Sequence, residues 1–173
     1  MRIYFPNENN TPQLELIGGK AYHLAVMKNF SLLIPKWFCL TSEFFENFTS
    51  FTDTTKNEIL KLLKDGKKYA VRSSAIDEDN ENASFAGIHE TYLNVSKTDV
   101  IEKIALCYKS FFSTRALEYR KMNDLSITSI KVAVIIQEMV ESEYAGVINT
   151  INPVTSNPDE FVISIVKLSL IHI

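Results

Sequence analysis

The segment from Tyr69 to Val95 constrains the fold of this chain most strongly, because two strand-forming runs enclose a long polar loop. Residues 69–71 and 91–95 are rich in β-branched, aromatic and aliphatic side chains, which suit a partly buried pleated surface. Arg72 leaves the first run, and Gly87 stands where a backbone can approach a ligand closely. The segment therefore predicts strand, loop and strand, with a loop suited to holding a polyphosphate.

Spacing alone leaves two interpretations of Arg72-Ser73-Ser74 open. A guanidinium at a strand end can bind phosphate oxygens in bidentate fashion, with hydroxyls and backbone amides as further donors. The alternative is a solvated arginine where a surface strand ends.

The acidic run at residues 77–81 suggests calcium binding and was compared with the EF-hand loop. Counting from Asp77, Asn82 stands where that loop requires glycine, and Ile88 stands where it requires glutamate. The run therefore predicts a solvated loop and no metal site.

A glycine pair precedes the first predicted helix. Gly18-Gly19-Lys20 interrupts the apolar pattern and opens a helix from about Ala21 to Asn29, and such a helix start favours bound anions. It is not a P-loop, because Leu14 replaces the first glycine of that motif and Ala21 replaces its hydroxyl.

The remaining periodicity predicts a chain that contains both helices and strands. Strands are predicted at residues 34–40, 69–71, 91–95, 130–140, 144–151 and 161–166. Helices are predicted from 41 or 42 to 48, from 53 to about 65, and from 96 or 98 to about 122, the last being the longest.

Size and charge narrow the class of protein. A chain of 173 residues can form one well-cored domain, and its net charge of −3 gives little support to nucleic-acid binding. It contains no apolar run near the roughly 20 residues of a membrane span and no signal-peptide core at its start, so we expect a cytoplasmic protein without membrane contact. Cys39 and Cys107 lie in apolar segments and are expected to be buried reduced thiols.

The end of the predicted strand at 130–140 also has two interpretations. Gln137 to Val140 could hold a purine with backbone groups and the flat Met139 side chain, or the strand could simply run out into the turn at 141–143. The three histidines show no metal-ligand spacing, and no Gly-x-Ser-x-Gly elbow is present, so we assign no catalytic or metal-binding residue.

Several motifs, taken in order, resemble one family over about residues 14–166. They are Gly18-Gly19-Lys20-Ala21, Ile34-Pro35 to Leu40-Thr41, Val71-Arg72-Ser73-Ser74-Ala75, Ser84-Phe85-Ala86-Gly87 to Thr91-Tyr92-Leu93-Asn94-Val95, Ala133 to Val140, and Gly146-Val147 through Asn152-Pro153-Val154-Thr155. The chain resembles the N-terminal nucleotide-binding domain of the phosphoenolpyruvate synthase, pyruvate phosphate dikinase and rifampicin phosphotransferase family.

This resemblance implies an ATP-grasp-like α+β fold with a mainly antiparallel sheet flanked by helices. It implies that ATP and Mg²⁺ are clamped between subdomains and that a phosphoryl group passes to a carrier histidine, then to pyruvate or a related acceptor. Carried over, Lys20 and Arg72 contact phosphates, Gly87 and Thr91 lie in the covering loop, and the adenine is bordered by Gln137, Glu138, Met139 and Val140. Phosphoryl transfer needs such positioned cations and amides.

Three departures predict a single, incomplete domain. The first subdomain, about residues 1–66, is trimmed, and about 167–173 departs from the family pattern. Between them, the phosphate loop and the long helix occupy about 67–166. The family's magnesium ligands and carrier-histidine domain are not found, so we expect a truncated or frame-shifted product, or a fragment, that is weak or inactive alone. Whether the chain is an enzyme is left open.

Two alternatives stand beside this interpretation. The chain is a non-catalytic nucleotide-sensing or partner-binding module, or one half of a split enzyme completed by a separate chain. It is otherwise a remnant whose exposed apolar edges favour aggregation.

Overall fold

The computed structural model describes residues 2–6, 12–30, 32–75, 79–80, 83–84 and 88–168 of the chain. Contacts divide the chain into two compact units, Met1–Met139 and Val140–Ile173. The subdomain boundary predicted near residue 66 falls inside the first unit, and the predicted segments remain predictions.

The described strands pair in antiparallel fashion, as predicted for an α+β fold. In chain order they are β1 (Ile3–Tyr4), β2 (Trp37–Leu40), β3 (Lys68–Ala75), β4 (Asp79–Asn80), β5 (Ala83–Ser84), β6 (Thr91–Ser96), β7 (Val132–Glu138), β8 (Tyr144–Asn149) and β9 (Val162–Lys167). The first unit holds a five-stranded sheet in the order β1-β2-β7-β3-β6, while β4 pairs with β5.

Helices precede or follow most of these strands. They are α1 (Leu14–Lys28), α2 (Ser42–Phe45), α3 (Asp53–Lys61), α4 (Val100–Ser110) and α5 (Thr114–Met122). None of the helices in the described part of the chain is both long enough and apolar enough to cross a bilayer.

Strand β7 is the centre of the sheet because both of its faces are apolar. Val134 and Ile136 pack into one hydrophobic cluster, together with α3 and α4. Ala133 and Ile135 pack into a second cluster against α1. The run at 132–137 is therefore buried throughout, as expected for a strand covered on both faces.

The prediction of one long helix from about residue 96 to 122 is wrong, because the structure has two helices there, α4 and α5. Ser113 caps α5: its Oγ accepts a hydrogen bond from the Ala116 amide at 3.2 Å and donates to the Ser110 carbonyl at 2.8 Å. A serine in this position offers the backbone a new helix start and ends the preceding helix.

Both cysteine side chains are buried free thiols, which confirms the sequence prediction. Cys39 lies on β2, and burial raises the pKa of its thiol well above the ordinary value. The thiol is therefore held in its neutral, unreactive form.

The second unit contains a β-hairpin of β8 and β9. Tyr144 pairs with Lys167 and Asn149 with Val162, so Ile148 lies opposite Ile163. Most side chains of both strands are exposed, and the connecting loop is organised by hydrogen bonds around Asn152.

Candidate functional site

Arg72 lies on the fourth strand of the five-stranded sheet, where the pairing of that strand with β6 ends. On β3 it stands opposite Ile135 of β7 and Thr91 of β6. Its side chain is half-buried, and Nη1 donates a long hydrogen bond of 3.5 Å to Oε1 of Gln137. The structure thus brings together two predicted site residues that are 65 positions apart.

Lys20 reaches the same part of β3 from α1. That helix is broken at Gly18, whose φ is +73° and ψ is 170°, and Lys20 lies in the first turn after the break. Its Nζ lies 3.4 Å from the Oγ of Ser73, the residue that follows Arg72. The glycine pair was predicted to open the helix, but it lies inside α1, which begins at Leu14 and is divided at Gly18. The helical segment after the break carries Lys20 to strand β3.

Sequence reasoning missed the role of Ser74, which it treated only as a further donor to phosphate. The side chain is fully buried, and Oγ donates to the Ile17 carbonyl at 2.7 Å and accepts from the Ala21 amide at 3.1 Å. The hydroxyl is thus used inside the protein, where it ties β3 to both sides of the helix break. The only sequence signal was the glycine pair, which marks a close backbone approach.

The covering loop is seen only in part. Thr91 is exposed at the first residue of β6, beside Arg72 in register. Gly87 lies outside the described residues, as does part of the acidic run, although Asp79–Asn80 pairs with Ala83–Ser84. The assignments of Gly87 and Thr91 to phosphate binding remain predictions.

The segment proposed to border adenine continues from β7. The Gln137 side chain is buried, whereas the Glu138 amide donates to the Lys36 carbonyl at 2.8 Å and the Met139 amide donates to the Lys68 carbonyl at 2.9 Å. These two amides are used within the first unit. Val140 begins the second unit and is exposed, and the adenine role of all four residues is still a prediction.

The described part of the candidate site carries two cationic side chains, Lys20 and Arg72. No group of three or more His, Cys, Asp or Glu side chains is placed to hold a metal ion among the described residues. His89, the histidine that lies within the predicted loop, is buried with its ring stacked on Phe111 at 4.0 Å between centroids. Its location is that of a core side chain.

Electrostatics favour an anion at this site. Lys20 lies in the first turn after the break in α1, and its Nζ lies 3.4 Å from the Oγ of Ser73, the residue that follows Arg72 on β3. The start of that helical segment adds positive potential. Arginine offers a planar fork for bidentate phosphate contacts, and lysine offers a compact charge. The arrangement is suited to one extended polyanion.

Comparison with known proteins gives a consistent picture. Residues 54–166 match the family described as pyruvate phosphate dikinase, AMP/ATP-binding domain. A probable phosphoenolpyruvate synthase of Pyrococcus horikoshii is 44% identical, with 86% of this chain and 28% of the relative covered. The phosphoenolpyruvate synthase of Aeropyrum pernix is 30% identical, with 93% and 26% covered.

A third relative carries a different name. The rifampicin phosphotransferase of Bacillus subtilis is 29% identical, with 87% of this chain and 22% of the relative covered. The chain therefore spans less than a third of the length of each of these curated relatives.

Proposed function

Because the chain belongs to the pyruvate phosphate dikinase AMP/ATP-binding domain family, we propose that it binds ATP through Lys20 and Arg72. The phosphate chain lies along the segment that follows Arg72, with Gly87 in the loop over it and Thr91 beside it at the start of β6. The adenine lies beside Gln137 to Val140. The observation that carries this proposal is the approach of Lys20 Nζ to Ser73, next to Arg72.

Geometry and charge support the phosphate end of the proposal. Two cations from different elements neutralise more of a triphosphate than either does alone, and the half-buried setting of Arg72 strengthens its interactions relative to open water. Gln137 Oε1 accepts from Arg72 and restrains the plane of the guanidinium. A restrained arginine loses less freedom when it binds phosphate.

We assign phosphoryl transfer to a larger enzyme and not to this chain by itself. In that enzyme the phosphoryl group passes from ATP to a carrier histidine and then to pyruvate or a related acceptor. Mg²⁺, when bound with ATP in that enzyme, would supply charge neutralisation at the phosphates. The function proposed for the chain itself is nucleotide binding.

A second candidate function is supported by the hairpin of β8 and β9. Its large side chains Ile148, Ile163 and Ile165 are all more than half exposed. Exposed apolar surface of this kind marks interaction sites. This favours a chain that works as one part of a split enzyme, completed by another polypeptide.

Calorimetric titration with ATP tests the first proposal. We expect the wild-type chain to bind, and Arg72→Ala to weaken binding at least about tenfold through loss of charge-assisted hydrogen bonds. Arg115→Ala is the matched control, since Arg115 is an exposed arginine on α5, and it should leave the affinity unchanged. A wild-type chain that does not bind ATP, or equal binding by the two arginine variants, contradicts the proposal.

Assays of ATP hydrolysis and phosphoryl transfer with Mg²⁺ separate binding from catalysis. The chain alone should show no turnover above a buffer control. Robust turnover that disappears in Arg72→Ala would show that the chain is a complete catalyst.

A further inference from the structure

A buried serine holds the helical turn that carries Lys20. We propose that Ser74 is a positioning residue of the nucleotide site, which fixes Lys20 beside Arg72 so that both cations meet one phosphate chain. This inference rests on the ATP-binding function proposed above, and it adds a residue that does not itself touch the ligand.

The hydrogen bonds of Ser74 span the break in α1. Its Oγ donates to the carbonyl of Ile17, the last residue before the break, at 2.7 Å. The same oxygen accepts from the amide of Ala21, the residue after Lys20, at 3.1 Å. One hydroxyl therefore joins both sides of the turn that contains Lys20 to strand β3.

Gly18 makes this close contact possible. Its φ of +73° is strained for other residues, and a Cβ added there would lie 2.4 Å from the Ser74 carbonyl oxygen and 2.7 Å from its Oγ. Any side chain at this position would push the helix away from the strand. Gly18 and Ser74 thus jointly set the distance between α1 and β3.

Lys20 needs such support more than Arg72 does. Arg72 is part of β3 and is held by pairing with both β6 and β7. Lys20 has a long, flexible side chain, so the placement of its Nζ near Ser73 depends on where its helical turn lies. Loss of the Ser74 hydroxyl should therefore weaken the contribution of Lys20 and leave that of Arg72 in place.

A double-mutant cycle on ATP affinity tests the inference. We expect Ser74→Ala to weaken ATP binding about five- to tenfold, the effect of losing one buried hydrogen-bonding group together with the contact it positions. On a Lys20→Ala background, Ser74→Ala should weaken binding no further, because the cation that it positions is gone. A structural role alone would give the same loss in both backgrounds and would overturn the inference, as would unchanged affinity in Ser74→Ala.

Ser113→Ala is the matched control. Ser113 also bridges a carbonyl and an amide at a helix start, at 2.8 and 3.2 Å, but it caps α5. It should lower thermal stability without changing ATP affinity. A loss of ATP affinity in Ser113→Ala equal to that in Ser74→Ala would mean that general destabilisation explains both, and would overturn the inference.

Two further variants keep the test decisive if Ser74→Ala does not fold. Ser74→Cys has nearly the same volume and only a weak donor and acceptor, and Gly18→Ala moves the helix from the opposite side. Both variants should weaken ATP binding when Lys20 is present and not when it is replaced by alanine. Folded variants with wild-type ATP affinity would overturn the inference. A wild-type chain that does not bind ATP overturns the proposed function itself, whereas wild-type binding that is insensitive to these variants overturns only the role of Ser74.

Discussion

Strands β7 and β9 have similar sequences and opposite surroundings. Both are rich in valine and isoleucine, yet residues 132–137 are buried throughout, whereas most of β9 is exposed. In the first unit, two hydrophobic clusters cover the two faces of the sheet around β7. An apolar sequence pattern thus predicts a strand, but it does not predict whether other elements bury the faces of that strand. That depends on the rest of the fold.

The largest expected effect comes from truncating matched isoleucines in these two strands. Ile135 on β7 is fully buried and Ile165 on β9 is 68% exposed. We expect Ile135→Ala to lower the free energy of unfolding by about 2–5 kcal/mol, because it removes transfer energy and leaves a cavity. Ile165→Ala should change it by at most about 0.5 kcal/mol. Urea unfolding followed by Trp37 fluorescence measures Ile135→Ala, because Trp37 lies in the same unit, and hydrogen exchange of the β8 and β9 amides measures Ile165→Ala.

The contrast between β7 and β9 is contradicted if Ile165→Ala lowers the free energy of unfolding as much as Ile135→Ala does. That result would mean that the hairpin is covered in solution, for instance by another copy of the chain. Repeating the measurement over a range of protein concentrations would identify self-association, since the stability of an associated form depends on concentration.

A smaller effect is expected from crowding the hairpin itself. A Cβ on Gly146 would lie 2.6 Å from the Ser164 carbonyl oxygen across the strand pair. Gly146→Ala should therefore destabilise the pairing of β8 and β9 by about 1–3 kcal/mol, the usual cost of overpacking. Hydrogen exchange should become faster at 144–149 and 162–167 and stay unchanged in β7.

Ala145→Ser serves as the control, because it alters the neighbouring residue without filling the space at Gly146. Faster exchange in β7 as well would show that the two units unfold together, and the contrast between the strands would then lose its basis.

Much of the fold was predictable because it follows local rules. The strands β2, β6, β7, β8 and β9 lie where apolar runs bounded by turn residues predicted them. Strand β3 was predicted only as far as Val71, and the structure corrects this: the strand continues through Arg72 to Ala75, because that segment pairs with β7. The division of the predicted long helix at Ser113 was missed, because a serine inside an apolar periodicity can face solvent or cap a new helix, and only the fold selects the cap.

The sequence predicted the charged residues of the candidate site, but it did not predict the buried hydrogen bonds that hold the turn carrying Lys20. Lys20 and Arg72 were named from motifs, and the structure places Lys20 Nζ beside Ser73, the residue that follows Arg72. The role of Ser74 depends on Ile17 and Ala21, more than 50 positions away. Sequence patterns locate charged side chains that a ligand would need, whereas a neutral hydroxyl gains its role only from the partner that folding supplies.

The smallest expected effect concerns the loop of the second unit, which is organised by polar contacts. Hydrogen bonds from Asn152, Asn157 and Thr155 hold the pKa of Glu160 below its ordinary value of 4.5. The Asn152 Nδ2 to Glu160 Oε2 distance is 2.7 Å, and Asn152 Oδ1 also accepts from the Val154 and Thr155 amides. The ionised carboxylate therefore helps to order a loop whose flanking strands are exposed.

Because the folded pKa is depressed, this contribution is fully present above the unfolded pKa and is lost as pH falls through the folded value. Titration of the Glu160 side chain by NMR should give a midpoint below 4.5 in the wild type and a higher one in Asn152→Ala. Asn149→Ala, on the adjoining strand β8, should leave the midpoint unchanged. Equal midpoints in wild type and Asn152→Ala would show that these hydrogen bonds do not hold the loop in solution. The hairpin would then have neither an ordered loop nor buried strand faces.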